Sequence, residues 1–352
     1  MRRGRHTVAL AAAIGTTLTT ALAVLVAPAP AGAADTGHTP DVAHLPAGAA
    51  PQLPYVDRRT ERIVDGDRRV SIAGLRGTVV RLFKVDGGYL LGRSFDGGQD
   101  LVVVRRNGAR SVLVDRWRGP GVRTLDNRLA ISHDGSRVVL NTASVEHPFD
   151  YRATEVRTLP EGTLVRRRVF DVVPSLLAYG TQRVLATSFP DSLWWTVSTN
   201  AVDRFSPGVR GEVADLTAWQ WFTRGGATAY RFSAIPPRTT PDWDQSHEDW
   251  LYGPWSTDDA YVAGHNEQND VGISSAYLVN RTSDGALVAS FSVEAVADVT
   301  WETASRVLLH VRLPDRRYQW IRCAVPAGNC SRVGPATSTT YGALVPAMRR
   351  NS

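Results

Sequence analysis

The strongest constraint on this chain is a recurring element: a turn of Asp, Gly or small polar residues, then an apolar run with a hydrophobic pair at its centre. It stands at residues 86–91, 132–140, 180–185, 256–262 and 304–308, with a degenerate copy at 218–222. With Leu90, Val139, Leu185, Gln220, Val262 and Leu308 as strand centres, the copies recur about every 44 residues. Downstream, Asn107-Gly108, Glu161-Gly162, Asp284-Gly285 and Gly328-Asn329 each separate two β-like runs, as hairpin tips do. Four antiparallel strands per repeat is the signature of a propeller blade.

Runs such as Val102-Val103-Val104 and Val138-Val139-Leu140 are apolar without alternation, as expected of strands covered on both faces. Beyond the N-terminal segment no long stretch has the three-and-four apolar spacing and caps of a helix. The expectation is an all-β, six-bladed β-propeller of four-stranded antiparallel blades over residues 57–340. Two spare strand-like segments, 61–64 and 69–73, are expected to join the last blade, the one holding both cysteines, and so close the ring. Residues 341–352 are left as a tail.

With 43% hydrophobic and 21% charged residues, the chain can bury a sizeable core. Its single lysine, Lys84, lies in Phe83-Lys84-Val85, which excludes a Gly-Lys-Ser/Thr phosphate loop and the familiar ATPase and kinase classes. Arg2, Arg3 and Arg5, an apolar stretch over 8–26, and Ala31-Gly32-Ala33 read as a signal peptide, residues 1–33, cleaved after Ala33. Export to the extracellular side follows; retention of the apolar stretch as an anchor is the alternative. Residues 34–56, rich in Ala, Pro and Gly, read as a flexible linker.

The net charge of +6 falls to about +3 once three leader arginines are removed, a weak basis for a nucleic-acid partner. The basic run Arg166-Arg167-Arg168 alternates across a strand and reads as a solvated face. The only two cysteines, Cys323 and Cys330, bracket a turn-rich segment with Pro326 and Gly328. In an oxidising compartment they are expected to pair as a local staple.

Ser132-His133-Asp134-Gly135-Ser136-Arg137-Val138-Val139 resembles the Ser-Pro-Asp-Gly-Lys-Arg-hydrophobic motif of TolB-like and WD-repeat-like propellers. Trp301-Glu302 leading into Ser305-Arg306-Val307-Leu308 is similar to the same element in secreted actinobacterial TolB-like propeller proteins. The likeness spans about residues 55–340 and implies the fold; it leaves activity open, because propellers host binding proteins and enzymes alike. Gly135 directly follows Asp134, whereas a sialidase-type Asp box has its glycine one position later, so sialidase activity is not implied.

GxSxG, HExxH, CxxC and GxGxxG do not occur, which removes the sequence support for nucleophile-elbow, zinc-protease and dinucleotide-binding chemistry. What stands out is an aromatic segment where the repeat decays. Trp219, Trp221, Trp243, Trp250 and Trp255 fall among Asp242, Asp244, His247 and Glu248. Aromatic faces beside carboxylates suit sugars or cationic peptide groups, and function concentrates where loops depart from a repeat. Filling of the inter-blade core is the competing reading for Trp219, Trp221, Trp243 and Trp250. The run 242–248 offers alternating oxygens but lacks the Gly and Glu of an EF-hand loop, so neither metal nor cofactor is expected.

The sequence thus predicts a secreted, monomeric binding or scaffold module for an extracellular protein, peptide or cell-envelope glycan. It would lack catalysis and, after leader removal, any membrane span. The alternative is an extracellular propeller enzyme, a glycan hydrolase or lyase or a metal-dependent lactonase, with carboxylates and histidines such as His133, His265 and His310 around a channel.

Overall fold

The structure is a computed structural model, and it describes residues 37–348 apart from 96–97, 118–128, 144–150, 171–175, 181, 189–190, 206–212, 216–219, 226–227, 233–242, 247–249, 267–273 and 340–341. Among the described residues every regular element is a strand. They are β1 (Gly37–His38), β2 (Tyr55–Asp57), β3 (Arg62–Asp65) and β4 (Arg68–Ser71), then β5 (Thr78–Val85), β6 (Gly88–Phe95), β7 (Gly98–Arg105) and β8 (Arg110–Trp117). Next come β9 (Leu129–Ile131), β10 (Arg137–Ala143), β11 (Tyr151–Thr158) and β12 (Leu164–Arg168), followed by β13 (Leu176–Tyr179), β14 (Arg183–Ser188), β15 (Asp191–Thr196) and β16 (Ala201–Phe205). The chain continues through β17 (Val213–Asp215), β18 (Gln220–Gly225), β19 (Thr228–Phe232) and β20 (Trp243–Ser246). It ends with β21 (Trp250–Trp255), β22 (Tyr261–Asn266), β23 (Ser274–Arg281), β24 (Leu287–Thr303), β25 (Arg306–Arg312), β26 (Tyr318–Ala324), β27 (Cys330–Thr337) and β28 (Leu344–Pro346).

Strands β5–β8, β9–β12, β13–β16 and β17–β20 form four sheets in sequence order, and β28-β2-β3-β4 forms a fifth four-stranded sheet from the two ends of the described chain. The path β21 to β27 runs as one larger sheet because β24 is 17 residues long. Its first part pairs with β23, from Leu287 opposite Asn280, and its last part with β25, to Thr303 opposite Arg306. One continuous strand therefore serves as the outer strand of one quartet and the inner strand of the next. The architecture is all-β, with four-strand units that are antiparallel as in a propeller, while the short β1 adds in parallel at β24.

Local chemistry explains the repeating turn. Ser132 Oγ donates to Asp134 Oδ1 at 2.6 Å, the Ser136 N–H donates to the same oxygen, and the Arg137 N–H donates to Ser132 Oγ. Ser256, Asp258, Ala260 and Tyr261 repeat this cluster bond for bond. A positive φ closes both turns, 74° at Gly135 and 61° at Asp259, the latter in a left-handed region that Asp tolerates better than most residues. In each of five quartets the carbonyl ending the first turn then accepts from the residue at the start of the hairpin tip: Gly87 from Arg106, Ser136 from Leu159, Gln182 from Val197, Ala260 from Thr282 and Ser305 from Val325.

The core lies between sheets. Val103, Leu90 and Leu113 pack on Leu129, Val138 and Leu140; Val139 and Val156 pack on Val184 and Trp195. Tyr277 and Phe291 meet Val307 and Ile321, and Leu308, Trp320 and Val333 meet Leu344. The sheet of the chain ends packs Val56, Ile63 and Val345 against Leu82, Leu91 and Val102.

Two expectations are corrected here. The segments 61–64 and 69–73 do not join the sheet that holds the cysteines; as β3 and β4 they pair edge to edge beyond β2 in the sheet β28-β2-β3-β4. That other sheet has no vacancy, because β24 supplies its inner strand and the N-terminal segment lies on its outer one, Ala47 bridging Arg332. Nor is the basic run merely solvated. Arg166 and Arg167 are exposed, the latter beside Glu155, yet Arg166 also donates to the Val197 and Ser198 carbonyls and Arg168 to Asn200, fastening one sheet to its neighbour.

Residues 37–52, expected as part of a linker, run along the outer edges of β24 and β27. Their far end is held by a buried ion pair, Glu302 with Arg322, whose side chains are 0% and 10% exposed. Arg322 also donates to the carbonyls of Ala49 and Ala50, and Glu302 accepts from the Gln52 N–H at 2.7 Å. From the opposite end of the chain, within the segment expected as a tail, β28 is wedged between inner strands: Met348 N–H donates to Leu82 O, and Thr300 Oγ1 to Ala347 O.

Cys323 and Cys330 face each other across β26 and β27 and form the disulfide, at a sequence separation of 7. A loop this short limits the unfolded chain only modestly, so replacing both cysteines by serine is expected to cost about 2.5 kcal/mol. Urea unfolding of the double variant checks this: the midpoint should fall in proportion while the core sheets stay folded.

Candidate binding site

The aromatic segment begins with β18, whose Trp221 lies opposite Phe232 of β19, with Thr223 opposite Tyr230. In turn Arg231 lies opposite Trp243 of β20, and Tyr230 opposite Asp244. Successive positions of a strand alternate between faces, so positions 221 and 244 share one face of this sheet and position 243 belongs to the other. Trp250 opens β21 opposite Asn266, and Trp255 closes it opposite Val262. Trp219, Asp242, His247 and Glu248 lie outside the described residues.

Trp255 is 2% exposed, an interior residue at the boundary between two quartets. Beside it the Trp301 indole N–H donates to Pro254 O at 2.8 Å, and Trp301 stacks on Tyr261 with ring centroids 6.1 Å apart. Burial of this size makes Trp255 a core residue in place of the ligand contact expected of it. The segment is thus divided: Trp255 is enclosed, positions 221 and 244 share a face, and position 243 takes the opposite one.

The three histidines singled out from the sequence are also far apart in role. His133 is exposed in the turn beside Asp134, whose carboxyl is held below its usual range against the opposing effect of burial by Ser132 and Ser136. His265 is in β22 opposite Tyr277. His310, in β25, is 1% exposed and sandwiched rather than open: its ring stacks on Trp320 at 4.7 Å and lies 5.5 Å from Tyr318. Asp298 stands opposite it across the ladder and forms an ion pair at 2.8 Å with Arg81 of β5. That pair joins the inner strands on either side of β28. Burial, with the Arg58 charge in support, pushes the His310 imidazole down to about 4.

Sequence reasoning missed the polar anchors. Glu302 and Arg322 sit in apolar strands, and a charge in such a run is itself a signal, since a buried charge must find a partner. Arg93 and Asp100, 8% and 4% exposed, are a second such pair between β6 and β7. Among the described residues no three His, Cys, Asp or Glu side chains gather as a metal site.

No family model matches the chain and no curated protein matches it. Among solved structures it is similar to the uncharacterised protein lmo1340 of Listeria monocytogenes EGD-e, with a TM-score of 0.51 at 10% identity over 84% of this chain and 87% of that one. Kluyveromyces lactis Hsv2 gives a TM-score of 0.46 at 9% identity over 69% and 74% of the two chains. The U3-55K structure gives 0.44 at 9% identity over 74% and 89%. These are β-propellers, and the likeness to the Listeria protein is one of fold alone.

The His310 environment has a consequence for acid stability. A folded value lowered from 6.5 to about 4 means that the folded protein binds this proton less readily than the unfolded chain. The contribution is fully present above pH 6.5 and is lost as pH falls towards 4, by about 3 kcal/mol in all. Urea titrations at pH 7.5, 6, 5 and 4 should show this decline on top of the carboxylate titrations, and His310→Gln should flatten it.

Proposed function

We propose that the chain is an exported β-propeller of seven four-stranded sheets that works as a binding or scaffold module. Seven, in place of the six expected from the repeat, is supported by dividing the long path at β24 and adding the sheet of the chain ends to the repeats. Leader-like residues 1–33 and the Cys323–Cys330 bond support export. A TolB-like relationship rests on the Ser132–Arg137 turn, whose hydrogen bonds recur at Ser256–Tyr261.

The partner is an extracellular protein, peptide or cell-envelope glycan, met at one end of the sheets. The observation that carries this is where the aromatic segment crosses between sheets. Ser246, the last residue of β20, pairs with Thr228, and Trp250, the first residue of β21, pairs with Asn266. Both lie at the end where second and third strands connect, opposite the hairpin tips that are tied to the first turns. Trp250 begins β21 at this end, and an indole offers a flat apolar face suited to a sugar ring or a cationic peptide group.

Cosedimentation with purified peptidoglycan sacculi, and in parallel with an array of extracellular peptides, tests the reading. Trp250→Ala should weaken capture at least tenfold with an unchanged melting temperature. Trp243→Ala, at the far end of β20, should weaken it no more than twofold. Equal losses in the two variants would remove the site from this end.

A further inference from the structure

The segment 37–52 lies on its sheet as a bound peptide does. β1 adds in parallel to the edge of β24, Gly37 opposite Ser290 and His38 opposite Phe291. Ten residues on, the Gly48 N–H donates to Arg332 O at 2.8 Å, and the Arg332 N–H donates to Pro46 O at 2.9 Å. Further along, Arg322 takes the carbonyls of Ala49 and Ala50, and Glu302 the Gln52 N–H. Main-chain pairing of this kind is how a sheet edge receives an extended peptide.

Few side chains of the segment are gripped. His38 lies on Phe291 with centroids 5.6 Å apart, and its Nε2 is 3.3 Å from Pro326 O. It reaches that place because residue 328 is glycine: a Cβ there would stand 2.1 Å from His38 Nδ1. Val42 and Leu45 rest against the core cluster that contains Phe291 and Cys323. Gly48 is required for close passage, since a Cβ there would meet Ser331 Oγ at 2.6 Å and Arg332 O at 2.8 Å.

Between these anchors the groove is underfilled. A cavity of about 610 Å³ lies on one side of the turn at 41–44, reaching Leu313, Gln319 and Pro335. A second, of about 570 Å³, lies on the other, reaching Ser292, Glu294 and Arg312. Val42, Ala43 and Pro314 border both. Volumes of this order accommodate groups much larger than an alanine methyl.

We propose that this rim is a receptor for an extended peptide, occupied in cis by residues 37–52. Its partner in trans is a foreign extended peptide with a flat ring at the place of His38, bulkier side chains than Val42 and Ala43, and glycine where the chain passes Ser331. The site is separate from the loop end proposed above and stands on its own contacts.

The test uses the full chain with a protease site inserted in the exposed turn between Ala43 and His44, and fluorescent peptides copying residues 36–43. After cleavage, anisotropy should show saturable uptake of the labelled peptide, at least tenfold tighter than by the uncut protein. The Ala43→Phe peptide should bind at least threefold tighter than the native sequence, and the His38→Ala peptide at least tenfold weaker. No uptake by cut protein with unchanged near-ultraviolet circular dichroism overturns the proposal, as does an Ala43→Phe peptide that binds no better. Exchange of segments between copies into dimers, without capture of free peptide, assigns the groove to a second copy and also overturns it. Should the insertion itself unfold the protein, the uninserted full chain carrying His38→Ala must take up the labelled native peptide at least threefold more than the parent chain; no increase overturns the proposal.

Discussion

Everything in this structure depends on strands that are apolar on both faces. A sheet built from Val102-Val103-Val104 or Val138-Val139-Leu140 cannot leave either side to water, so each sheet requires a neighbour on both sides. Local strand pairing supplies the sheets, but it cannot supply the neighbours for the first and last of a series. Here the two ends of the chain make that sheet together. Three residues of β28 enclose Val345 among Val56, Ile63 and Leu82, and the Ala347 and Met348 amides bond to Pro54 and Leu82. Across this narrow strand the Arg81–Asp298 pair joins the inner strands on either side.

The buried polar groups belong to the same problem. A buried ion pair is a weak source of net stability, since desolvation offsets much of the attraction, yet removing one partner is costly because the other charge stays enclosed. Such a pair selects one geometry more than it deepens the energy well. Glu302 and Arg322 illustrate this: their remaining hydrogen-bonding capacity is met by the backbone at residues 49, 50 and 52. The N-terminal segment thereby has one defined place on the rim, although its Ala- and Pro-rich sequence carries no strand signal.

How much could be read beforehand follows from how local each determinant is. Leu90, Val139, Leu185, Gln220, Val262 and Leu308 all fall on the second strand of a quartet, because the turn chemistry and the apolar pair lie within a few residues of one another. The hairpin glycines behave likewise, with positive φ at Gly108, Gly162, Gly285 and Gly328. The sheet of the chain ends was not legible. Arg62–Asp65 and Arg68–Ser71 are charged short strands, Leu344–Pro346 is three residues long, and its pairing with Tyr55–Asp57 joins the two ends of the described chain. Arg166 and Arg168 show a related limit: alternation separates the faces of a strand but cannot tell solvent from the carbonyls of an adjacent sheet. The tryptophans carry the same ambiguity, and only Trp255 is resolved by its burial.

The two ends of the sheets are chemically unequal. At one end, first turns and hairpin tips bond to each other in five quartets, so backbone donors and acceptors there are already committed. A ligand recognised through that backbone would have to replace bonds that also hold the turns, at about 1 kcal/mol for each. Recognition at that end therefore falls to exposed side chains such as His133 and Asp284. The rim differs again, because its outer strand edges keep their hydrogen-bonding direction open to an added strand, and at β24 and β27 the chain itself occupies that direction. Sheets that bury both faces of their strands thus leave two kinds of surface: side chains at an end, and main chain along an edge.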